Sequence, residues 1–371
     1  MGILVGLPRT GGSEKDLQLN FGKVADQQME VRKPFLPAEW YPQSGVQLTW
    51  PHAETDWAYM LEEVQKCFID IAWEIAEREL LLIVTPEPEE VKKQIAAIVN
   101  MENVRFLECG TNDTWARDHG AITMMDADGP SLLDFTFNGW GLKFASHLDN
   151  QITRHAVENG ILKGRYVNRL GFVLEGGSIE SDGMGTLLTT SECLLSPNRN
   201  GQKNKVEIEE YLKNVFQVRQ ILWLDDGYLA GDDTDSHIDT LARFCPADTI
   251  VYVQCEDETD EHYEALQAME EQLHSFRTLN GEPYRLLALP MADKVVEEGE
   301  RLPATYANFL ILNGTILYPT YNQPENDRRA CEVLQEAFPG YQMVGIDCRP
   351  LIKQHGSLHC VTMQYPLGVL K

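Results

Sequence analysis

FLILNGTILYPTY, residues 309–321, reads as two short apolar strands on either side of Asn313-Gly314. An Asn-Gly pair supplies the positive φ that a tight hairpin needs. Downstream, NDRRACEVLQEAF (326–338) has helical character and MVGID (343–347) is a further short apolar strand. The same order recurs along the chain. AITMMDADGPSLLDFTF (121–137) is expected to turn at Asp128-Gly129, SIESDGMGTLLTT (178–190) around Asp182-Gly183, and TLARFCPADTIVYVQ (240–254) at Pro246-Ala247-Asp248. KVEIEEYLKNVF precedes RQILWL, DEHYEALQAMEEQLHSF precedes YRLLALP, and DWAYMLEEVQKCFIDIAWEIAERE precedes LLLIV. The two ends complete the series, because LHCVTMQYP (358–366) and GVQLTWPH (45–52) are expected to pair. The unit is strand, turn, strand, helix, strand, occurring about five times, which makes the chain α/β with a pseudo-fivefold repeat. Only the order of elements repeats; the units share no sequence.

One polar group or pair stands just before the first strand of each unit: Asp118, Glu175, His237 with Asp239, Asn308, and Cys360. Units arranged around an axis would bring these groups together. This register is the physical core of the functional reading.

Composition narrows the classes. With 31 Lys+Arg against 57 Asp+Glu the formal net charge is −26, which repels nucleic acid and anionic membranes and gathers a small cation. No stretch of about 18 apolar residues is present, so no membrane span is expected. The start, MGILVGLPRTGGSEKD, lacks the basic region of a secretory signal, and the eight cysteines show neither CxxC nor zinc-finger spacing. Reduced thiols in a cytoplasm are the expectation. Residues 1–33 are read as a loosely packed lead-in and 34–371 as one catalytic domain.

These residue types suit one reaction. A guanidinium is planar and cationic, and its hydrolysis needs a nucleophile at carbon, a proton for departing ammonia, and acceptors that hold the plane. A cysteine thiolate is well suited to that attack, and Cys360 is the candidate; a thiol buried in a strand is the alternative. His237 would act as general acid and base. His237 and Asp239, two apart, are expected to face one side of an extended strand. That spacing could equally serve a metal, but no third ligand accompanies it. Glu175, in VLEGGSIES, could orient His237 and keep it protonated when needed. Asp118 and Asp239 could each accept paired N–H groups from a guanidinium, and Trp115 could stack on the cation. His359 is a weaker catalytic candidate, since neighbours in a strand point to opposite faces.

The segments TNDTWARDHGAI, FNGWGLKF, LEGGSIESDGMGTLLTTSECLLSPNRN, GDDTDSHIDTLARF, YANFLILNG and LHCVTMQYP, with the opening LPAEWYPQSGVQLTWPH, resemble agmatine deiminases and the related bacterial peptidylarginine deiminases. The likeness runs from about Pro37 to Pro366. It implies the pentein fold, a five-bladed α/β propeller with a central site, and hydrolysis of agmatine to N-carbamoylputrescine and ammonia without metal or organic cofactor. It matches the nucleophile to Cys360, the histidine and following aspartate to His237 and Asp239, the first guanidinium-binding aspartate to Asp118, and the histidine's glutamate partner to Glu175. Asn308 falls on a further site position. A homodimer is a family-level expectation. In KQHGSLHC (353–360), Gln354 and His355 stand where the family has glycines, in a loop expected to close the pocket. Three rivals remain: a peptidylarginine deiminase, an amidinotransferase, and a non-catalytic guanidinium-binding protein, against which the complete Cys, His, Glu and Asp set argues.

Overall fold

Leu310–Leu312 and Thr315–Thr320 pair antiparallel across a two-residue loop, and Gln342–Asp347 adds parallel to the second of them. Gly314 takes φ +74° at the tip of this loop. Helix Pro324–Ala337 makes the crossover between the parallel strands and buries Ala330, Leu334 and Ala337. That crossover is what a parallel pair requires, since its strand ends lie at opposite edges. This is the unit read from residues 309–347.

The computed structural model describes residues 33–371. Apart from Lys33, the expected lead-in lies outside the described residues. Four further sheets repeat the unit. Ile122–Asp126, Gly129–Thr136 and Arg165–Val173 form one; Ile179–Ser181, Thr186–Thr190 and Gln220–Leu224 the next; Ala242–Cys245, Thr249–Gln254 and Arg285–Pro290 a third. In each, the first two strands are antiparallel and the last two parallel. The remaining sheet joins the two ends of the chain. Thr362–Pro366 pairs antiparallel with Gln43–Thr49, which runs parallel to Leu80–Thr85. This sheet closes the series, as expected, and makes five blades.

Three local features differ from expectation. The blade made from the chain ends has a fourth strand, Val104–Glu108, parallel to Leu80–Thr85. The loop after Asp126 turns one residue early: Asp126 pairs with Gly129, whose φ is +114°, so Ala127 and Asp128 form its tip. A two-strand ribbon, Val296–Glu297 with Glu300–Arg301, lies outside the blades.

The helices lie against the blades. In Leu61–Ala76 the buried residues Val64, Cys67, Phe68, Ile71, Ala72 and Ile75 recur every three or four positions and form one apolar stripe. Leu81, Leu82, Ile83 and Val84 are all buried, the pattern of a parallel strand covered on both faces. All eight cysteines are free thiols. Among the described residues, no helix is long and apolar enough to cross a membrane.

Candidate active site

The groups singled out before each first strand do meet, and they do so from tight turns. Asp118 lies in the short helix Ala116–His119, Glu175 precedes the turn Gly176–Ser178, and Asp239 lies in the short helix Ile238–Leu241 with His237 at its N-cap. Cys360 stands in a turn just ahead of Thr362–Pro366. The strand alternation expected for His237 and Asp239 is therefore wrong: a helical turn, not a pleat, aims them. The same correction applies to His359 and Cys360. Because they share a turn, both reach Asp239, with His359 Nδ1 2.7 Å and Cys360 Sγ 4.0 Å from Asp239 Oδ2.

Gly177 marks the point of convergence. A Cβ there would lie 2.7 Å from His237 Nδ1, 2.8 Å from Asp118 Oδ1 and 3.1 Å from Asp239 Oδ2, so no side chain fits. Its N–H donates to Asp118 Oδ1 at 3.1 Å, and His237 Nδ1 is 3.6 Å from the same oxygen. Gly176 is equally confined, against the carbonyl of Arg117. The paired glycines thus let the backbone carrying Glu175 approach three polar side chains.

Above these groups is a cavity of about 370 Å³ lined by Trp115, Asp118, Trp140, Phe144 and Cys360. Asp56, Asp113, Asp233, Gln354 and His355 also border it. His237, Asp239 and Glu175 are at most 1% exposed and sit behind this floor. A larger cavity of about 650 Å³ runs past Glu39, Arg117 and Glu180 and holds neither Cys360 nor Asp118. Chemistry, not size, selects the smaller one.

Burial sets the charge states. It pushes the Cys360 thiol well above its ordinary value, and the nearby Asp239 and Asp118 carboxylates add to the shift. Burial likewise raises Asp118, helped by Asp239 and Glu175, and lowers His237 to about 3. In the free protein the imidazole is therefore neutral, and a role for Glu175 in holding His237 protonated falls to the steps of the reaction in which the imidazole gains a proton. For Asp239, burial works against the charge, but the hydrogen bond and charge of His359 outweigh it and hold the carboxyl below its ordinary value.

Glu175 is also held differently from expectation. Its Oε1 accepts from Arg199 Nε at 2.8 Å, a buried ion pair. Glu175 Oε2 and His237 Nε2 are buried without partners among the described residues. Donor atoms of Glu175, His237 and Cys193 lie within 4.8 Å of one another. Asn308 does not face the cavity. Its Oδ1 accepts from the N–H groups of His359 and Cys360 at 2.9 and 3.3 Å, and its Nδ2 donates to the Asp239 carbonyl. It braces the cysteine turn instead of offering a group to a ligand, because its oxygen is already shared. Trp115 does line the cavity, its Nε1 donating to Asp113 Oδ2 at 3.0 Å.

A family model for the Porphyromonas-type peptidyl-arginine deiminases matches residues 35–366. The chain belongs to this family. Among curated relatives, the "Putative agmatine deiminase" of Marinomonas sp. is 32% identical over 351 residues, covering 89% of this chain and 94% of the relative. That of Legionella pneumophila (strain Paris) is 33% identical, over 90% of this chain and 95% of the relative. The crystal structure of a "Putative Arginine Deiminase" from Porphyromonas gingivalis superposes with a TM-score of 0.86 at 52% identity, covering 91% of this chain and 100% of that one. A C. jejuni agmatine deiminase solved with substrate bound gives 0.84 at 39% identity, over 92% and 99%.

Several residues of the site were not singled out from the sequence. Trp140 donates its indole N–H to Asp118 Oδ2 at 2.9 Å. Arg199 pairs with Glu175, and Glu39 meets His359. Each lies in a segment on which the family likeness rests, FNGWGLKF, LEGG…PNRN and LPAEW. One signal was available: glycines on both sides of Trp140 announce the left-handed turn, φ +54° at Trp140, that delivers the indole inward.

Proposed function

We propose that the protein hydrolyses the guanidinium of agmatine to N-carbamoylputrescine and ammonia, with Cys360 as nucleophile. The observation that carries this reading is that Cys360 and Asp118 line an acid-rimmed cavity while Asp239 and His237 lie against them from behind, Asp239 Oδ2 4.0 Å from Cys360 Sγ and His237 Nδ1 3.6 Å from Asp118 Oδ1. A guanidinium seated between Asp118 and Asp239 would present its carbon to the Cys360 sulfur, and Asp239 Oδ1 is buried without a partner among the described residues.

In the free protein the thiol keeps its proton, for the reasons of burial and charge given above. A cationic substrate offsets both carboxylates and favours the thiolate. The thiol proton passes to neutral His237. The sulfur then bonds to the guanidinium carbon; His237 returns the proton to one nitrogen, and ammonia leaves as that C–N bond breaks. A thiouronium-type adduct on Cys360 remains. Water, deprotonated by His237, adds to the same carbon; the new hydroxyl gives up its proton to solvent as C=O forms and the C–S bond breaks, and the imidazolium returns its proton to the sulfur, restoring the thiol. Glu175 stands by to pair with the imidazolium that forms in each half. No step calls on a metal or an organic cofactor.

The rim favours agmatine over free or peptidyl arginine. Asp56, Asp113 and Asp233 border the cavity with no lysine or arginine among the lining residues. Such a rim attracts a distal ammonium and repels the α-carboxylate of arginine. Gln354 and His355 narrow the mouth. Gln354 Nε2 donates to the Asp56 carbonyl at 3.0 Å, and His355 Nδ1 lies 2.7 Å from the Gly231 carbonyl. A polypeptide on both sides of an arginine would have to open these ties. Ammonia release from agmatine, arginine and an arginine-containing peptide tests the choice. The reading expects agmatine to be turned over best, and faster turnover of the peptide would replace it with a peptidylarginine deiminase. The likeness supports a small cationic guanidino compound as the substrate partner; a homodimer is proposed as a family-level expectation, and a cytoplasmic setting on the free state of all eight cysteines.

A further inference from the structure

We propose that His359 is a positioning residue, which sets the Asp239 carboxylate for the substrate and anchors it across the centre of the molecule to Glu39 and Arg243. The inference rests on the guanidine-hydrolysis reading above.

Asp239 is fully buried and held by one oxygen. His359 Nδ1 is 2.7 Å from Oδ2, while Oδ1 has no partner among the described residues. A carboxylate pinned in this way presents its second oxygen in one direction. His359 is pinned in turn: Nε2 is 2.8 Å from Glu39 Oε2, and its backbone N–H donates to Asn308 Oδ1 at 2.9 Å. A carboxylate thus faces each ring nitrogen, and Arg243 Nη2 also lies 3.2 Å from Nε2. Glu39 Oε2 also accepts from Arg243 Nη2 at 2.6 Å, and Glu39 Oε1 accepts from the Ile311 N–H at 2.8 Å. Arg243 is fully buried, paired with Glu180 and donating to the carbonyls of Ala307 and Phe309. The brace therefore draws on four of the five blades and ends on the carboxylate nearest the nucleophile.

The order of charges gives the brace its function. His359 separates Asp239 from Arg243, the next cation. Without the imidazole, a buried and unpaired Asp239 carboxylate still feels the permanent charge of Arg243, and turning toward it shifts the carboxylate, whose Oδ2 lies 4.0 Å from Cys360 Sγ, away from the nucleophile. Burial makes that loss costly, because a buried acceptor that loses its partner bears its full desolvation cost.

The test compares the full chain with His359→Ala, His359→Asn, Asp239→Asn and the His359→Ala/Asp239→Asn double variant. Ammonia release from agmatine is read as kcat and KM. Alkylation of Cys360 by chloroacetamidine, which carries an amidinium, is compared with alkylation by neutral chloroacetamide. The inference expects His359→Ala to lose roughly tenfold to a hundredfold in kcat/KM, mainly through KM. The amidine-to-amide ratio should fall by a similar factor. His359→Asn, whose amide can still donate to Asp239, should recover part of the loss. The double variant should be no worse than Asp239→Asn alone, because both changes remove one interaction. His359→Ala kinetics and alkylation ratio within about twofold of the parent, or a double variant showing the full product of the two losses, overturns it. A chain that turns over no guanidine compound at all fails the functional reading instead; the alkylation ratio still decides this inference. If His359→Ala does not fold, His359→Asn and Glu39→Gln carry the same comparison.

Discussion

The indole N–H of Trp140 donates to Asp118 Oδ2 at 2.9 Å while the Gly177 N–H holds Oδ1 at 3.1 Å, so both oxygens of this buried carboxylate are fixed before any substrate arrives. Fixed acceptors cost no reorganisation when a cation binds. Trp140→Phe keeps the ring and deletes the donor. Once a guanidinium restores the charge on Asp118, the missing bond is one to an ionised group, worth about 1.5–3 kcal/mol. The expected loss is roughly tenfold to a hundredfold in kcat/KM for agmatine. Steady-state kinetics check it, and unchanged kinetics would show that Gly177 alone sets Asp118.

Cys360 is expected to be a slow thiol in the free protein. Burial, Asp239 and Asp118 all lift its titration above the ordinary value of 9.0, so the thiolate fraction grows only at higher pH. Alkylation by neutral iodoacetamide should therefore keep rising past that point, without a plateau at neutral pH. An amidinium reagent brings the compensating charge and should react faster near neutrality. A neutral-pH plateau with iodoacetamide would mean a resting thiolate and would remove substrate-assisted ionisation from the account.

Asp113 is expected to read the substrate's far end. Burial pushes its carboxyl up to about 7, although the Trp115 indole N–H opposes the shift. A distal ammonium nearby would restore its charge. Asp113→Asn should thus lower activity on agmatine much more than on butylguanidine, whose tail is uncharged. Equal losses on both would place the ammonium elsewhere on the rim.

The architecture was legible because each unit carries its own local signals. Asn313-Gly314 closes a hairpin, and the stripe from Val64 to Ile75 can only be one face of a helix. The convergence of Asp118, His237, Asp239 and Cys360 followed from register alone. How they are aimed did not. A short helical turn and a strand start look alike over three residues, so the pleat assumed for His237 to Asp239 and for His359 to Cys360 was the wrong local geometry. Partnerships across blades were equally hidden. Nothing near Glu175 in the chain announces Arg199, and nothing near His359 announces Glu39, 320 residues away. The bracing by Asn308 was hidden for the same reason: its oxygen accepts from backbone N–H groups that only the closed ring brings to it.

Away from the site, Glu79 is a test of buried charge. It is 7% exposed and burial raises its carboxyl from 4.5 to about 7, although the Asn313 backbone N–H and the charge of Arg78 oppose the shift; the Asn313 side-chain amide also donates to it at 2.6 Å. The folded value is raised, so its contribution to stability is fully present below about 4.5 and is lost as pH rises through about 7. Glu79→Gln keeps an acceptor for Asn313 and cannot ionise. The melting temperature of this variant relative to the parent should climb across that window. Parallel pH profiles would contradict the assignment.

The attack of Cys360 on the guanidinium carbon is tested most directly by acid-quenching the protein during turnover of agmatine and weighing it. The account predicts a transient mass increase equal to agmatine less ammonia, confined to the peptide that holds Cys360 and missing in Cys360→Ala, which should also lose more than about a thousandfold in turnover. Ammonia release that continues in Cys360→Ala, or an adduct on any other residue, would contradict it.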